Sequence, residues 1–200
     1  ADLSGSYDDA TALVYHFNAD DPLPQDRSAY GNHAAQSTAA VIENSVIGPG
    51  LQINGAGHVT VAGSPSLALD PENGQTVSFW VMSEDAYQEA VLMERSGAAG
   101  ALRVAMAPTG IYADFESEDG SAAIAPAPAL GAATWHHVTL TIDATSMTLS
   151  VDGNPVGSTE FSVPALDGDI ALGSGLNGAR PFVGEIDEFR IDNTVRSDGW

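Results

Sequence analysis

The chain has 200 residues, 44% of them hydrophobic and none a cysteine, which suits one large folded domain and excludes disulfides, thiolate zinc sites and thiol nucleophiles. Six Lys+Arg against 27 Asp+Glu leave a formal charge of −21, which excludes nucleic acid and anionic lipid as partners, since both are bound mainly through cationic side chains. No apolar run approaches the roughly 18 residues of a spanning helix, so direct membrane insertion is not expected.

In chain order, the opening Ala1-Asp2-Leu3-Ser4-Gly5-Ser6 has no basic stretch leading into an apolar one, which reads as a mature form or an excised domain rather than a signal peptide. Apolar and polar residues then alternate over Ala12 to Asn18, and a polar loop follows from Asp26 to His33. Alternation returns over His58 to Ala62 and Thr76 to Ser83. The stretch Glu84 to Arg95 is rich in good helix formers, but its neighbours on both sides are strands, so it is read as a loop and a strand over Ala90 to Glu94. Leu102 to Ala107 and Gly110 to Phe115 alternate again, and Ala122 to Ala133, with Pro126 and Pro128, reads as an edge strand and loop. Trp135 to Asp143 and Met147 to Val151 follow, the latter joined through Asp152-Gly153 to Pro155-Val156-Gly157 as a hairpin. Asp169 to Leu172 and Phe182 to Ile191 complete the series.

Asn54-Gly55, Asn73-Gly74, Asp119-Gly120 and Asp167-Gly168 supply turns between these runs. Short strands at this spacing, with no repeat and no linker, predict one all-β domain over residues 1–200, a two-sheet antiparallel β-sandwich. The N-terminal strand, Leu13 to Phe17, is expected beside the C-terminal one, Val183 to Ile191.

Gly173-Ser174-Gly175-Leu176-Asn177-Gly178 matches a dinucleotide fingerprint, but a strand rather than a helix follows it, so it reads as a turn. His136 and His137 are adjacent, and adjacent strand residues point to opposite faces, which speaks against a shared metal ion. Glu185 and Asp187 share a strand face and evoke a retaining glycosidase, whose chemistry needs two carboxylates about 5–5.5 Å apart. Phe189 and Arg190 stand where the acid/base partner of Glu185 would be, so no catalytic residue is assigned. The Asp26–His33 loop offers a carboxylate, an amide and free carbonyls, the oxygen ligands a hard cation requires; an ordinary Asx-type turn uses the same residues. Trp80, Tyr87, Tyr112 and Trp135 are candidates for stacking on sugar rings. Tyr87 and Tyr112 are kept as ligand-binding candidates, while Trp80 and Trp135 are expected in the core.

The chain resembles a bacterial laminin-G-like (concanavalin A-like) jelly-roll domain over nearly its whole length. The resemblance rests on Leu13-Val14-Tyr15-His16-Phe17, Asp26 through His33, Gly57-His58-Val59-Thr60-Val61, Thr76 through Val81, Thr134 through Val138, Leu149 through Gly153, and Phe182 through Ile191. It implies a domain excised from a larger protein, with Val195 through Trp200 lying where related chains continue. It also implies a structural calcium ion, with Asp26, Asn32 and Asp187 as ligands and Gly31 giving a carbonyl, although Arg27-Ser28-Ala29-Tyr30 replaces the usual smaller, Gly-containing turn.

The expected function is a non-catalytic, calcium-stabilised recognition module for carbohydrate. It would be monomeric in isolation and lie outside the cell, on its surface or in the periplasm. The alternative is a structural or protein-interaction (adhesion) domain of an envelope or secreted protein, with no sugar site. A polysaccharide-active enzyme comes third.

Overall fold

A computed structural model describes residues 7–197; Ala1–Ser6 and the last three residues, and what the sequence suggests for them, lie outside the described residues. The chain opens with β1 (Thr11–Tyr15), β2 (Gln36–Ser37), β3 (Ala40–Ile42), β4 (Gly50–Asn54) and β5 (Val59–Val61). It continues through β6 (Gln75–Ser83), β7 (Ala90–Gly97), β8 (Gly100–Ala107), β9 (Gly110–Glu116) and β10 (Ser121–Ile124). It closes with β11 (Trp135–Ile142), β12 (Ser146–Val151), β13 (Asn154–Glu160), β14 (Ile170–Leu172) and β15 (Val183–Asp192).

The strands form two antiparallel sheets. One has the order β13-β12-β11-β6-β15-β4-β3, with β1 also on β15; the other runs β10-β9-β8-β7-β14-β5-β2. β15 is the hub of the first sheet. β6 lies along one edge, while the other edge is shared between β4, at residues 183–186, and β1, at residues 189–192. The first and last long strands are therefore neighbours, as the sequence suggests, with Tyr15 opposite Phe189.

Inward-facing residues of both sheets make one core. Val77, Phe79, Val81, Ile186, Phe189 and Ile191 of one sheet meet Met93, Leu102, Val104, Ile111 and Phe115 of the other. Tyr15, Phe79 and Phe189 pack ring against ring, with centroids 6.4 and 5.9 Å apart. Each such fully buried side chain contributes about 1.5–3 kcal/mol.

One cation enters this core. Arg95 is 2% exposed and donates to the Gln75 side-chain oxygen and the Leu67 carbonyl. Gln75 in turn donates to Asn193 at 2.9 Å, which holds the Ser66 carbonyl at 2.8 Å. Burial lowers the Arg95 pKa to about 10.

Several elements differ from the sequence reading. β7 runs to Gly97 rather than ending at Glu94, because β8 pairs with its whole length and β14 with its centre. Long-range pairing here overrides helix propensity. β1 is buried on both faces instead of alternating. Its free edge is covered by the polar loop, through Arg27 N–H to the Val14 carbonyl at 2.9 Å and Asn32 Nδ2 to the Ala12 carbonyl at 2.8 Å. Trp80 and Trp135, expected in the core, are half-buried. Val77, Phe79 and Val81 take the core positions of β6, and Val138, Leu140 and Ile142 those of β11, so the tryptophans fall on the outer face.

Candidate functional site

The outer face of the eight-stranded sheet gathers the chemistry-bearing residues, and β15 arranges them. A bulge between Asp187 and Arg190 inserts one residue, and Glu188 absorbs it at φ 51°. Such bulges re-aim side chains. The four carboxylates of β15 consequently sit in four different settings.

Asp187 is fully buried and accepts hydrogen bonds from the Ile47 N–H at 3.0 Å and the Glu188 N–H at 2.8 Å. Gly50 makes room for this arrangement, since a Cβ there would collide with Ser45. Burial pushes the Asp187 carboxyl above its ordinary range, against the pull of the two N–H donors. Glu188 lies 2.7 Å from His16 Nδ1, and His16 Nε2 lies 2.6 Å from the Tyr7 hydroxyl. Asp192 is clamped by Arg190 at 2.7 Å and Arg196 at 2.9 Å. Glu185 remains on the open face, its carboxyl pushed up by burial and by the charges of Glu84 and Asp187.

Of the residues expected to hold calcium, Asp26, Gly31 and Asn32 share one loop, the Asn32 N–H meeting Asp26 at 2.8 Å, and each is engaged with protein partners. Both oxygens of Asp26 are filled by protein donors: Val14 N–H and Ser28 N–H on one, Ser28 Oγ–H and Asn32 N–H on the other, all within 2.9 Å. The Asn32 amide is taken by Ala12, Ser64 and Ser66, and the Gly31 carbonyl by the His33 N–H. Asp187 shares none of these partners. Among the described residues no group of three or more His, Asp or Glu side chains is placed to hold a metal ion. The donor set fits a loop braced by its own hydrogen bonds rather than a cation cage.

The other candidates lie apart. Tyr87 is 76% exposed in the β6–β7 connection. Tyr112 is on the outer face of the seven-stranded sheet, where its hydroxyl accepts from Arg180 at 2.6 Å. The glycine-rich stretch after β14 folds as a turn, with Gly173 and Gly178 at φ 83° and 76° and the Leu176 N–H on Glu94 at 3.2 Å. No helix opens at its end, so it forms no phosphate cradle.

Two parallel rows cross the open face. Trp80 of β6 is in register with His137 of β11, their rings 5.1 Å apart and tilted by 49°. Two residues along, Ser78, Thr139 and Ser150 line up across β6, β11 and β12. Along the hydroxyl row and beside His137 lies a cleft, closed at one end by Thr76, Asp192 and Arg196, whose enclosed part is only about 50 Å³. That volume holds a few waters, against the roughly 300–1,000 Å³ of an enclosing small-molecule pocket. Asp152 shapes the rim through the His137 N–H and His136 Nδ1, both at 2.8 Å. Burial lowers the His137 pKa, which favours the neutral imidazole, while Asp152 pulls it up.

A laminin G-type family model, described as the concanavalin A-like lectin/glucanases superfamily, matches residues 54–200. No curated protein matches the sequence. The fold is similar to the binding domain of Paraclostridial mosquitocidal protein 1, with a TM-score of 0.76 and 14% identity over 96% of this chain and 50% of that one. The botulinum neurotoxin serotype G binding domain gives 0.76 and 14%, over 94% and 49%. The chain thus spans about half the length of these toxin domains. Domain 4 of AbnA, a GH43 extracellular arabinanase from Geobacillus stearothermophilus solved in complex with arabinotriose, gives 0.72 and 16%, over 94% of this chain and 95% of that one.

Proposed function

The chain belongs to the concanavalin A-like lectin/glucanases superfamily, and from that membership we propose that it is a non-catalytic module that binds carbohydrate. The superfamily's description offers two functions, and the burial of Asp187 favours the lectin-like one. A retaining mechanism needs one carboxylate to attack and a second to pass the proton, both reaching the sugar. Asp187 is 0% exposed, Glu188 is engaged with His16, and Asp192 is engaged with two arginines. Glu185 is left without an accessible partner from its own strand.

The arabinanase domain supports the same reading, because it is a unit of the same size solved with a bound oligosaccharide. An extracellular setting suits such a module and its acidic surface. Incubation with arabinan, xylan and β-glucan should release no reducing ends above buffer, while a glycan array should show binding. Turnover that disappears in Glu185→Gln would overturn the non-catalytic assignment. An array silent for every glycan would favour the protein-interaction domain instead.

A further inference from the structure

We propose that the ligand is a neutral oligosaccharide, with one sugar ring on the Trp80–His137 row and its neighbouring hydroxyls on the Ser78–Thr139–Ser150 row. This assignment rests on the carbohydrate-binding reading and names its site and ligand class.

Trp80 sits on the solvent side of its sheet, where it serves no core, and one flank is braced by His137 at 5.1 Å. A large aromatic surface held this way suits the C–H face of a sugar ring, an apolar plane with a polar rim. Ser78, Thr139 and the largely buried Ser150, 7% exposed, line the cleft with hydroxyls that have no hydrogen-bond partner among the described residues. Neighbouring strands lie about 4.8 Å apart, so the hydroxyls form an evenly spaced line roughly 10 Å long. Alternate residues along β6 lie about 6.8 Å apart, which sets the hydroxyl line one sugar width from the aromatic row. The enclosed volume of about 50 Å³ admits hydroxyls but no ring, so the sugar lies over the cleft rather than in it.

Charge selects the class. Arg190 and Arg196, at the closed end, are engaged with Asp192 and Asp8, at 2.6–2.9 Å. An anionic sugar would therefore have to break an ion pair and approach a chain carrying −21. A neutral sugar meets neither cost.

Isothermal titration of the protein with arabinotriose, xylotriose and laminaritriose, against trigalacturonate and sialyllactose, tests this. At least one neutral trisaccharide should bind, with a change in tryptophan fluorescence, and the anionic ones should not. Trp80→Ala should weaken binding at least tenfold, and Thr139→Val by about threefold, while Tyr87→Ala changes nothing. Thr139→Val and His137→Ala keep the site testable if Trp80→Ala fails to fold. Wild-type binding that all three site variants retain would overturn the site and leave the carbohydrate reading standing. Preference for an anionic sugar would overturn the ligand class. No binding of any of the five would overturn both.

Discussion

Asp26 shows how one carboxylate can organise a loop. Four protein donors fill its two oxygens, and two of them, from Val14 and Asn32, tie β1 to the far end of the loop. Hydrogen bonds to a charged acceptor are worth roughly 1.5–3 kcal/mol each when buried donors would otherwise be stranded. Asp26→Ala should therefore cost about 3 kcal/mol, measured by urea unfolding. Chelator should leave the wild-type melting temperature unchanged, because the donor set is complete without a cation. A chelator-induced fall that Asp187→Ala abolishes, and that magnesium does not reverse, would restore the calcium site.

Asp187 makes a second test at the same scale. A carboxyl whose folded-state pKa is raised holds its proton more tightly folded than unfolded. Its contribution to stability therefore falls as pH rises above the ordinary value of 3.8. Asp187→Asn removes that dependence, so the variant should gain relative to wild type between pH 3.5 and 6.5 in thermal unfolding. A gap constant across that range would contradict the assigned burial effect.

Single residues also mark where the sequence stopped being legible. The stretch around Trp80 alternates cleanly, and alternation tells which residues share a face but not which face is inside. The missing signal was the company each set keeps: Val77, Phe79 and Val81 are uniformly apolar, whereas Trp80 sits with Thr76, Ser78 and Met82. Asp26 and Asn32 stand out in the sequence as polar groups of one loop. What they coordinate is not legible there, because backbone donors from a distant strand leave no mark on local sequence.

At the level of elements, the long strands were readable and the short ones were not. β15 shows alternating character on either side of Asp187-Glu188, and the Asp152-Gly153 turn between β12 and β13 has both residues at positive φ, 51° and 74°, as a two-residue hairpin turn requires. β2, β3 and β4 have two to five residues each and gain their structure from partners such as β5 and β15. The bulge at Glu188 leaves one mark in the sequence, the three-residue step from Ile186 to Phe189 between core positions otherwise two apart.

The two sheets are also joined by a polar strut, in which Gln75 of β6 accepts from the buried guanidinium of β7. Among the described residues Arg95 has no carboxylate partner. Removing one of its few acceptors strands a buried charge, which typically costs 3–5 kcal/mol. Gln75→Leu should thus destabilise the fold by about 3 kcal/mol despite adding apolar area. A neutral or stabilising result would show that the strut carries no net stability.

For the whole molecule, the all-β sandwich followed from turn chemistry and period-two patterning, and the family match over residues 54–200 agrees with it. The function did not follow in the same way. The eight-stranded sheet buries Asp187, pairs Glu188 with His16 and carries an aromatic row beside a hydroxyl row.

Affinity electrophoresis in native gels cast with arabinan, xylan or β-glucan separates binding from hydrolysis in one experiment, since it reads binding on intact polysaccharide without requiring turnover. The protein should be retarded in at least one neutral polysaccharide relative to an acidic reference protein, with the polysaccharide left undegraded. Migration with the reference in every gel, or clearing of the polysaccharide along the lane, would contradict non-catalytic carbohydrate binding.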